Sequence, residues 1–152
     1  MVHALQEAHR VLKPNGILLD LRPAPAHRQL GLGEGRRWQL LGRLHEVLDD
    51  DHAANAAVDQ VLRQGLFRRG RRMQIQLDRV MDTLQDCREW LAEFDVRREI
   101  PSHAPLLERL ERSLARLDKP TRITVRGPLI LAVLRKTGAQ RSSQEFVEPE
   151  EP

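Results

Sequence analysis

The sequence predicts a single α/β domain with three main strands. A helix, a Pro-Asn-Gly turn and an apolar strand follow one another within residues 2–23. Met73, Ile75 and Leu77 alternate with polar residues, which is the period of a half-buried strand. The apolar run at residues 129–134 has the length of a buried strand rather than of a membrane helix.

The composition indicates a cytoplasmic globular protein without a membrane segment. The chain has 152 residues, 40% hydrophobic and 31% charged, which suits one domain with its own core. The N-terminus shows no secretory leader. The single cysteine, Cys87, excludes an internal disulfide and fits a reducing compartment.

The charge divides the chain into a domain at 1–136 and an acidic tail at 137–152 that we expect to be disordered. The net charge is +3, made up of +6 before residue 137 and −3 after it. The basic residues are almost all arginine, which suits phosphate or carboxylate recognition but also follows from a GC-rich genome, the interpretation we favour. With 3% aromatic residues and no tyrosine, nucleic acid is not the expected partner.

The first helix is predicted over residues 2–13 and ends at Pro14. Asn15-Gly16 supplies the positive φ that a sharp reversal needs. The strand that follows is apolar on both faces in its first half, which is typical of a central strand covered on both sides.

The middle of the chain is predicted to contain a hairpin and a helix. Residues 27–48 fit a hairpin around Gly33–Gly35, which we favour over a loop leading into a helix from Trp38. The three aspartates at 49–51 begin a helix that continues to Gln64, with Gly65 as its C-terminal cap.

The second half predicts two helices and a closing strand. Asp82 with Gln85 forms a capping-box-like start, and Ser102 opens the next helix. In the last strand, Gly127-Pro128 predicts a bulge or kink. The apolar faces of the two helices are Leu84, Cys87, Trp90, Leu91 and Phe94, and Leu106, Leu107, Leu110, Leu114 and Leu117.

The segment ALQEAHRVLKPNGILL resembles the helix and fifth strand of class I S-adenosylmethionine-dependent methyltransferases, especially the small-molecule group called type 11. Asn15 replaces the more usual first glycine of that family. RRMQIQLDRV and ITVRGPLILAVLRK are similar to its sixth strand and its seventh, antiparallel strand. The matching residues are Leu5, Glu7, Arg10, Val11, Leu12, Lys13, Pro14, Gly16, Ile17, Leu18 and Leu19.

This resemblance implies a partial Rossmann-like methyltransferase sheet, made of the last three strands with the final one antiparallel, flanked by helices. In that family the donor binds the first half of the fold, through a glycine-rich loop and an acidic strand end. GLGEG at 31–35 follows the wrong strand and is interpreted as a turn. We therefore assign no catalytic or cofactor-binding residue and expect no S-adenosylmethionine binding by this chain alone. The resemblance implies that the chain is the substrate-side half, inactive by itself, and whether it is an enzyme stays open.

Asp20 and Arg22 are the substrate-side candidates, because ligands of open α/β sheets bind at the carboxyl ends of strands. The alternative is local pairing of Asp20, with Arg22 exposed. Cys87 is expected to be buried, and no serine sits in a catalytic pattern. No metal site is expected from the histidines, which are His3, His9, His27, His45, His52 and His103.

If the first half of that fold is missing, the strand Ile17–Leu21 is expected to lack a neighbour on one side. An unpaired apolar edge promotes association. We expect a homo-oligomer, pairing of this edge with a missing N-terminal half, or cover from residues 27–46. The alternative functions are a noncatalytic dimeric or partner-binding module and, less favoured, nucleic-acid binding through Arg68, Arg69, Arg71 and Arg72, which also fit a solvated lead-in to an edge strand.

Overall fold

A computed structural model gives the structure of residues 1–98 and 102–138. Of the predicted acidic tail, residues 139–152 lie outside this described part. The described helices are α1 (Val2–Val11), α2 (Asp49–Arg63), α3 (Leu84–Arg98) and α4 (Ala104–Leu114). The described strands are β1 (Ile17–Pro23), β2 (Gln29–Leu32), β3 (Gln39–Arg43), β4 (Phe67–Met81) and β5 (Ile123–Lys136).

The five strands form one open, antiparallel sheet around β5. On one side, β4 pairs with β5 along its whole length. On the other side, β2 pairs with residues 123–126 of β5 and β1 pairs with residues 129–135, while β3 pairs only with β2. The predicted α/β class is confirmed, and so is the antiparallel direction of the last strand.

The predicted turns and the hairpin are confirmed. Asn15 has φ 61° at the corner between α1 and β1, and Gly65 has φ 72° just beyond α2. β2 and β3 pair as a hairpin whose turn contains a short 3-10 helix, Gly35–Arg37, so the alternative helix from Trp38 is absent from the described residues. Local sequence decides these features because only a few residue types adopt positive φ at low cost.

Two local predictions are wrong. β5 keeps its register with β4 through Gly127-Pro128, and the bulge lies instead in β4, between Arg69 and Arg72. Gly127-Pro128 marks the place where β5 changes partner from β2 to β1. The cap of α3 is formed by Thr83 and Asp86, which exchange backbone-to-side-chain hydrogen bonds of 3.0 and 3.2 Å, rather than by Asp82 and Gln85.

The helices cover two different parts of the sheet. α1 and α2 cover one face of β1, β5 and β4, burying Leu5, Val58, Val61, Phe67 and Leu134. α3 and α4 pack with the β2–β3 hairpin and with the end of β4 and β5 near Ile123. That second core contains Leu30, Leu32, Leu41, Leu44, Met81, Cys87, Leu91, Phe94, Leu110, Ile123 and Val125.

The interpretation of β1 as a central strand covered on both sides is wrong for the described residues, whereas the expectation that Ile17–Leu21 lacks a neighbour on one side agrees with the structure. Within the described residues β1 pairs with β5 alone, so its other edge is free. Leu19 and Leu21 are 66% and 58% exposed, whereas Asp20 and Arg22 are buried. The β2–β3 hairpin pairs with β5, so the expected cover of the β1 edge by residues 27–46 is not found.

The exposed side chains of β1 continue across β5 and β4 as one apolar surface, called here the open face. The strand register places Leu19 of β1 beside Val133 of β5, and Leu21 of β1 beside Leu131 of β5. Leu131 is in turn paired with Met73 of β4. Met73 and Leu77 are 52% and 59% exposed, so the prediction of a half-buried β4 is wrong there. The open face consists of Ile17, Leu19, Leu21, Met73, Ile75, Leu77, Leu129, Leu131 and Val133.

Candidate functional site

Asp20 and Arg22 lie on the face of β1 opposite to the open face, beneath α2. The Arg22 guanidinium is paired with the Asp20 carboxylate, and both residues are buried. Arg22 also donates two hydrogen bonds to Asn55 Oδ1, of 3.0 Å from Nη2 and 3.3 Å from Nε. Asn55 Nδ2 donates to the Asp51 carbonyl at 2.7 Å, which fixes the orientation of the amide. Asp20 therefore pairs locally, while a ligand role for the two residues stays a prediction.

Two arginines of β4, one on each side of its bulge, lie on this same covered face. Arg69 lies opposite Leu134, and Arg72 lies opposite Ala132. Because paired residues of neighbouring strands point to the same face, both arginines share the face of Arg22. Arg69 pairs with Asp59 of α2 at 2.5 Å.

These groups surround a cavity of about 100 Å³ between α2 and the sheet, called here the guanidinium cavity. Burial, and then the positive charge of Arg72, lower the pKa of Arg22, while Asp59 acts in the opposite direction. The cavity therefore holds cationic groups close enough to repel one another. Its lining residues are Arg22, Asn55, Val58, Asp59, Arg69, Arg72, Ala132 and Leu134.

A larger cavity of about 220 Å³ lies just beyond the carboxyl end of β1 and is called here the carboxyl-end cavity. Neither Asp20 nor Arg22 lines it. Its lining residues are Pro23, Ala24, Ala26, Arg28, Glu46, Asp51, Leu77, Arg79, Trp90, Val125, Gly127, Pro128 and Leu129.

A salt bridge across the base of the hairpin forms the charged wall of the carboxyl-end cavity. The Arg28 backbone N–H donates to Glu46 Oε2 at 2.6 Å, and the Arg28 side chain lies 3.7 Å from Glu46 Oε1. The Glu46 carboxylate is buried, and the Arg28 guanidinium lies over the Phe94 ring, 5.4 Å from its centroid. Both charges are thus held in fixed positions.

The opposite wall combines an aromatic ring with a cation. Arg79 lies over the indole of Trp90, 5.7 Å from the ring centroid. Leu77, Val125 and Leu129 add apolar surface. Such a mixture binds and orients a small organic molecule that has an apolar body and a charged group. Among the described residues, no serine, cysteine or histidine lines this cavity.

Sequence analysis missed the contribution of Arg28, Glu46, Arg79 and Trp90 to this cavity. Trp90 was expected in the core, and Arg79 lay within a strand without a motif. The hairpin itself gives only a general signal, because its register sets Arg28 opposite Leu44 at the base, and Glu46 follows two residues later. The 2.9 Å hydrogen bond from the Leu44 N–H to the Arg28 carbonyl closes that base.

The other candidates from the sequence, Cys87 and residues 31–35, lie in the core and in the hairpin. Cys87 is buried, and burial raises its pKa to about 11, so the thiol stays protonated at neutral pH. Residues 31–35 form the end of β2 and the beginning of the hairpin turn. In this turn Glu34 pairs with Arg122 at 3.0 Å, which raises the pKa of the Arg122 guanidinium. Within residues 1–98 and 102–138, no three potential metal ligands come together.

The four arginines of residues 68–72 are all exposed, and the register distributes them over both faces of β4. Arg69 and Arg72 line the guanidinium cavity. Arg68 lies opposite Arg135, one residue out of step with the covered face, so it belongs to the opposite face of the sheet. A nucleic-acid backbone needs several cations presented together. The expectation that nucleic acid is not a partner stays a prediction.

The chain matches no protein-family model, no curated protein and no solved structure. In the described part of the chain, no helix has both the length and the apolar character needed to cross a membrane.

Proposed function

We propose that this chain is the substrate-side half of a class I S-adenosylmethionine-dependent methyltransferase fold. The observation that carries the proposal is the position of β5, which runs antiparallel between β1 and β4. These are the strands that resemble the seventh, fifth and sixth strands of that family. The local resemblance rests on HRVLKPNG at residues 9–16. The antiparallel direction of β5 between β1 and β4 adds a second, independent agreement with the sheet of that family.

The free edge of β1 and the open face support a half-fold. In a complete sheet flanked by helices, a strand such as Ile17–Leu21 has a neighbour on each side and a layer on each face. In the described part of the chain one edge of β1 is free, and Ile17, Leu19 and Leu21 are 46%, 66% and 58% exposed. The pattern that predicted a central strand is therefore explained if the missing neighbour belongs to another part of the fold.

In this proposal the carboxyl-end cavity holds the methyl acceptor. It lies where α/β sheets bind ligands, beyond the carboxyl end of β1. The Arg28–Glu46 pair and Trp90 would orient a small acceptor, and the donor, bound by the other half, would supply the methyl group. This chain's contribution is binding and positioning.

The DNA upstream of the Met1 codon tests the proposal. We expect an in-frame segment encoding a strand followed by a glycine-rich loop and a second strand that ends in an acidic residue. An in-frame stop codon immediately upstream, with no separate gene nearby for such a segment, would contradict the proposal.

Calorimetric titration of the chain with S-adenosylmethionine gives a second test. We expect no binding heat, because no glycine-rich donor loop follows the appropriate strand. Saturable binding with micromolar affinity would show that this chain carries a donor site of its own, contrary to the proposal.

The second candidate function is a noncatalytic dimeric or partner-binding module. The open face favours it, because contiguous exposed apolar surface of this kind marks interaction sites. A closed reading frame upstream of Met1, combined with self-association of the chain, would select this function over the methyltransferase half.

A further inference from the structure

The guanidinium cavity has one cation more than its carboxylates balance. Arg22 is paired with Asp20, and Arg69 with Asp59. Arg72 has no hydrogen-bond or ion-pair partner in the described part of the chain, although it lines the same cavity. The surroundings of Arg72 therefore lack the negative charge that the other two arginines have.

The backbone holds Arg72 in this position. Register changes from Arg69 opposite Leu134 to Arg72 opposite Ala132, so three steps along β4 correspond to two along β5. Without the extra residue, Arg71 would lie opposite Ala132. The bulge thus selects Arg72 for the covered face, in line with the use of bulges to redirect side chains next to binding sites.

The small side chain of Ala132 leaves the space that forms the guanidinium cavity. Asp20, Ala132 and Arg72 lie in one row across β1, β5 and β4. Ala132, in the middle of this row, leaves room beneath Asn55 and Asp59 of α2, and the resulting volume is about 100 Å³. Asp59 and Arg69 are about half exposed, so the cavity opens to solvent on their side.

We propose that the guanidinium cavity binds a phosphoryl group, either as inorganic phosphate or at the end of a small phosphate monoester. Planar guanidiniums donate paired hydrogen bonds to phosphate oxygens, and Arg72 is free to do so. The anion would also reduce the repulsion among the three arginines, which is seen in the lowered pKa of Arg22. This inference is independent of the proposed methyltransferase function.

Calorimetry on the full chain with inorganic phosphate, and separately with glycerol phosphate, tests the inference at a constant ionic strength set with chloride. We expect saturable binding at one site for at least one of the two compounds. Binding of phosphate alone identifies the free ion as the ligand, and binding of glycerol phosphate identifies a monoester. Binding of neither would overturn the inference.

Neighbouring arginines give a matched pair of variants. Arg72→Gln should weaken binding at least tenfold, because it removes the unpaired guanidinium. Arg71 is exposed, as Arg72 is, but it does not line the cavity, so Arg71→Gln removes the same charge and should change the affinity less than twofold. Equal weakening by both variants would show non-specific charge attraction and overturn the inference.

Ala132→Val tests the cavity itself without changing any charge. The added methyl groups occupy the floor of the cavity, so binding should weaken at least fivefold in a chain whose circular dichroism is unchanged. Full affinity in the folded variant would place the phosphate elsewhere. Should this variant unfold, the Arg72→Gln and Arg71→Gln comparison decides.

Discussion

The two faces of the β1–β5–β4 sheet differ in an unexpected way. The face beneath α1 and α2 buries a charged pair, Asp20 and Arg22, together with Leu134. The opposite face exposes Leu19, Leu21 and other apolar side chains of the same strands. Charged side chains of these strands are thus buried while apolar side chains of the same strands are exposed to solvent. This arrangement indicates that the strands suit a fold with a layer on both faces.

The size of the open face supports the same conclusion. The exposed fractions of Ile17, Leu19, Leu21, Met73 and Leu77 correspond to roughly 600 Å² of accessible surface, the upper end for the largest patch on a monomer. With the partly exposed residues of β5 added, the surface approaches the roughly 800 Å² that each partner contributes to a standard interface. The open face therefore has the dimensions of an interaction surface.

The largest effect is expected at the buried charged pair. Asp20→Ala leaves the Arg22 guanidinium buried without its carboxylate and should lower the free energy of unfolding by about 3–5 kcal/mol. Denaturant-induced unfolding measures this change. The double replacement Asp20→Leu with Arg22→Met should be much less destabilising, because no uncompensated charge remains. A loss below about 1 kcal/mol for Asp20→Ala would contradict the buried position of the pair.

Two leucines compare the faces directly. Leu134→Ala removes a side chain that is fully buried against α1 and α2, and should cost about 2–5 kcal/mol. Leu19→Ala, on the open face, should change the stability of a dilute sample by about 0.5 kcal/mol or less. Similar losses at the two positions would mean that another layer covers the open face.

The buried thiol predicts a smaller, pH-dependent effect in the α3–α4 core. Burial raises the pKa of Cys87 to about 11, whereas a thiol in an unfolded chain ionises near about pH 8.5. The contribution of the thiol to the free energy of unfolding is fully present below the pKa of the unfolded chain. It decreases as the pH rises from that pKa toward the pKa of the folded chain, because only the unfolded state ionises in this window. The expected loss is on the order of 2–3 kcal/mol.

Unfolding measured at a series of pH values, with Cys87→Ala as the control, isolates this contribution. The chain has no tyrosine and three lysines, so few other groups titrate in this range. The variant should lose less stability than the wild type between pH 8.5 and pH 11, values that bracket the two thiol pKa values. Parallel pH profiles would place the thiol in contact with water.

Sequence reasoning was sufficient where local chemistry decides the structure. Pro14, Asn15 and Gly65 have conformational preferences that determine the ends of α1 and α2 without reference to the rest of the chain. The apolar faces of α3 and α4 followed in the same way from helical periodicity, except that Leu117, which was predicted on the inner face, lies beyond the end of α4 and is 44% exposed. These elements therefore agreed with the structure within a few residues.

The remaining features depend on which surfaces meet. Alternation shows that Leu19 and Leu21 share a face, but it contains no information on whether that face is covered. Pairing of the β2–β3 hairpin with β5, and the shift between Arg69 and Arg72, depend on contacts between distant segments. For the same reason, the sequence indicated Asp20 and Arg22 but not the cavity that Arg28 and Glu46 line.

Light scattering coupled to size-exclusion chromatography tests most directly whether the open face and the β1 edge form an interaction surface. The wild-type chain should have a mass above the 17.5 kDa of the monomer, rising with concentration. Leu19→Lys with Leu77→Lys should restore the monomer without loss of helix content. A wild-type chain that stays monomeric at all concentrations would contradict the account, since no described segment covers this face or edge.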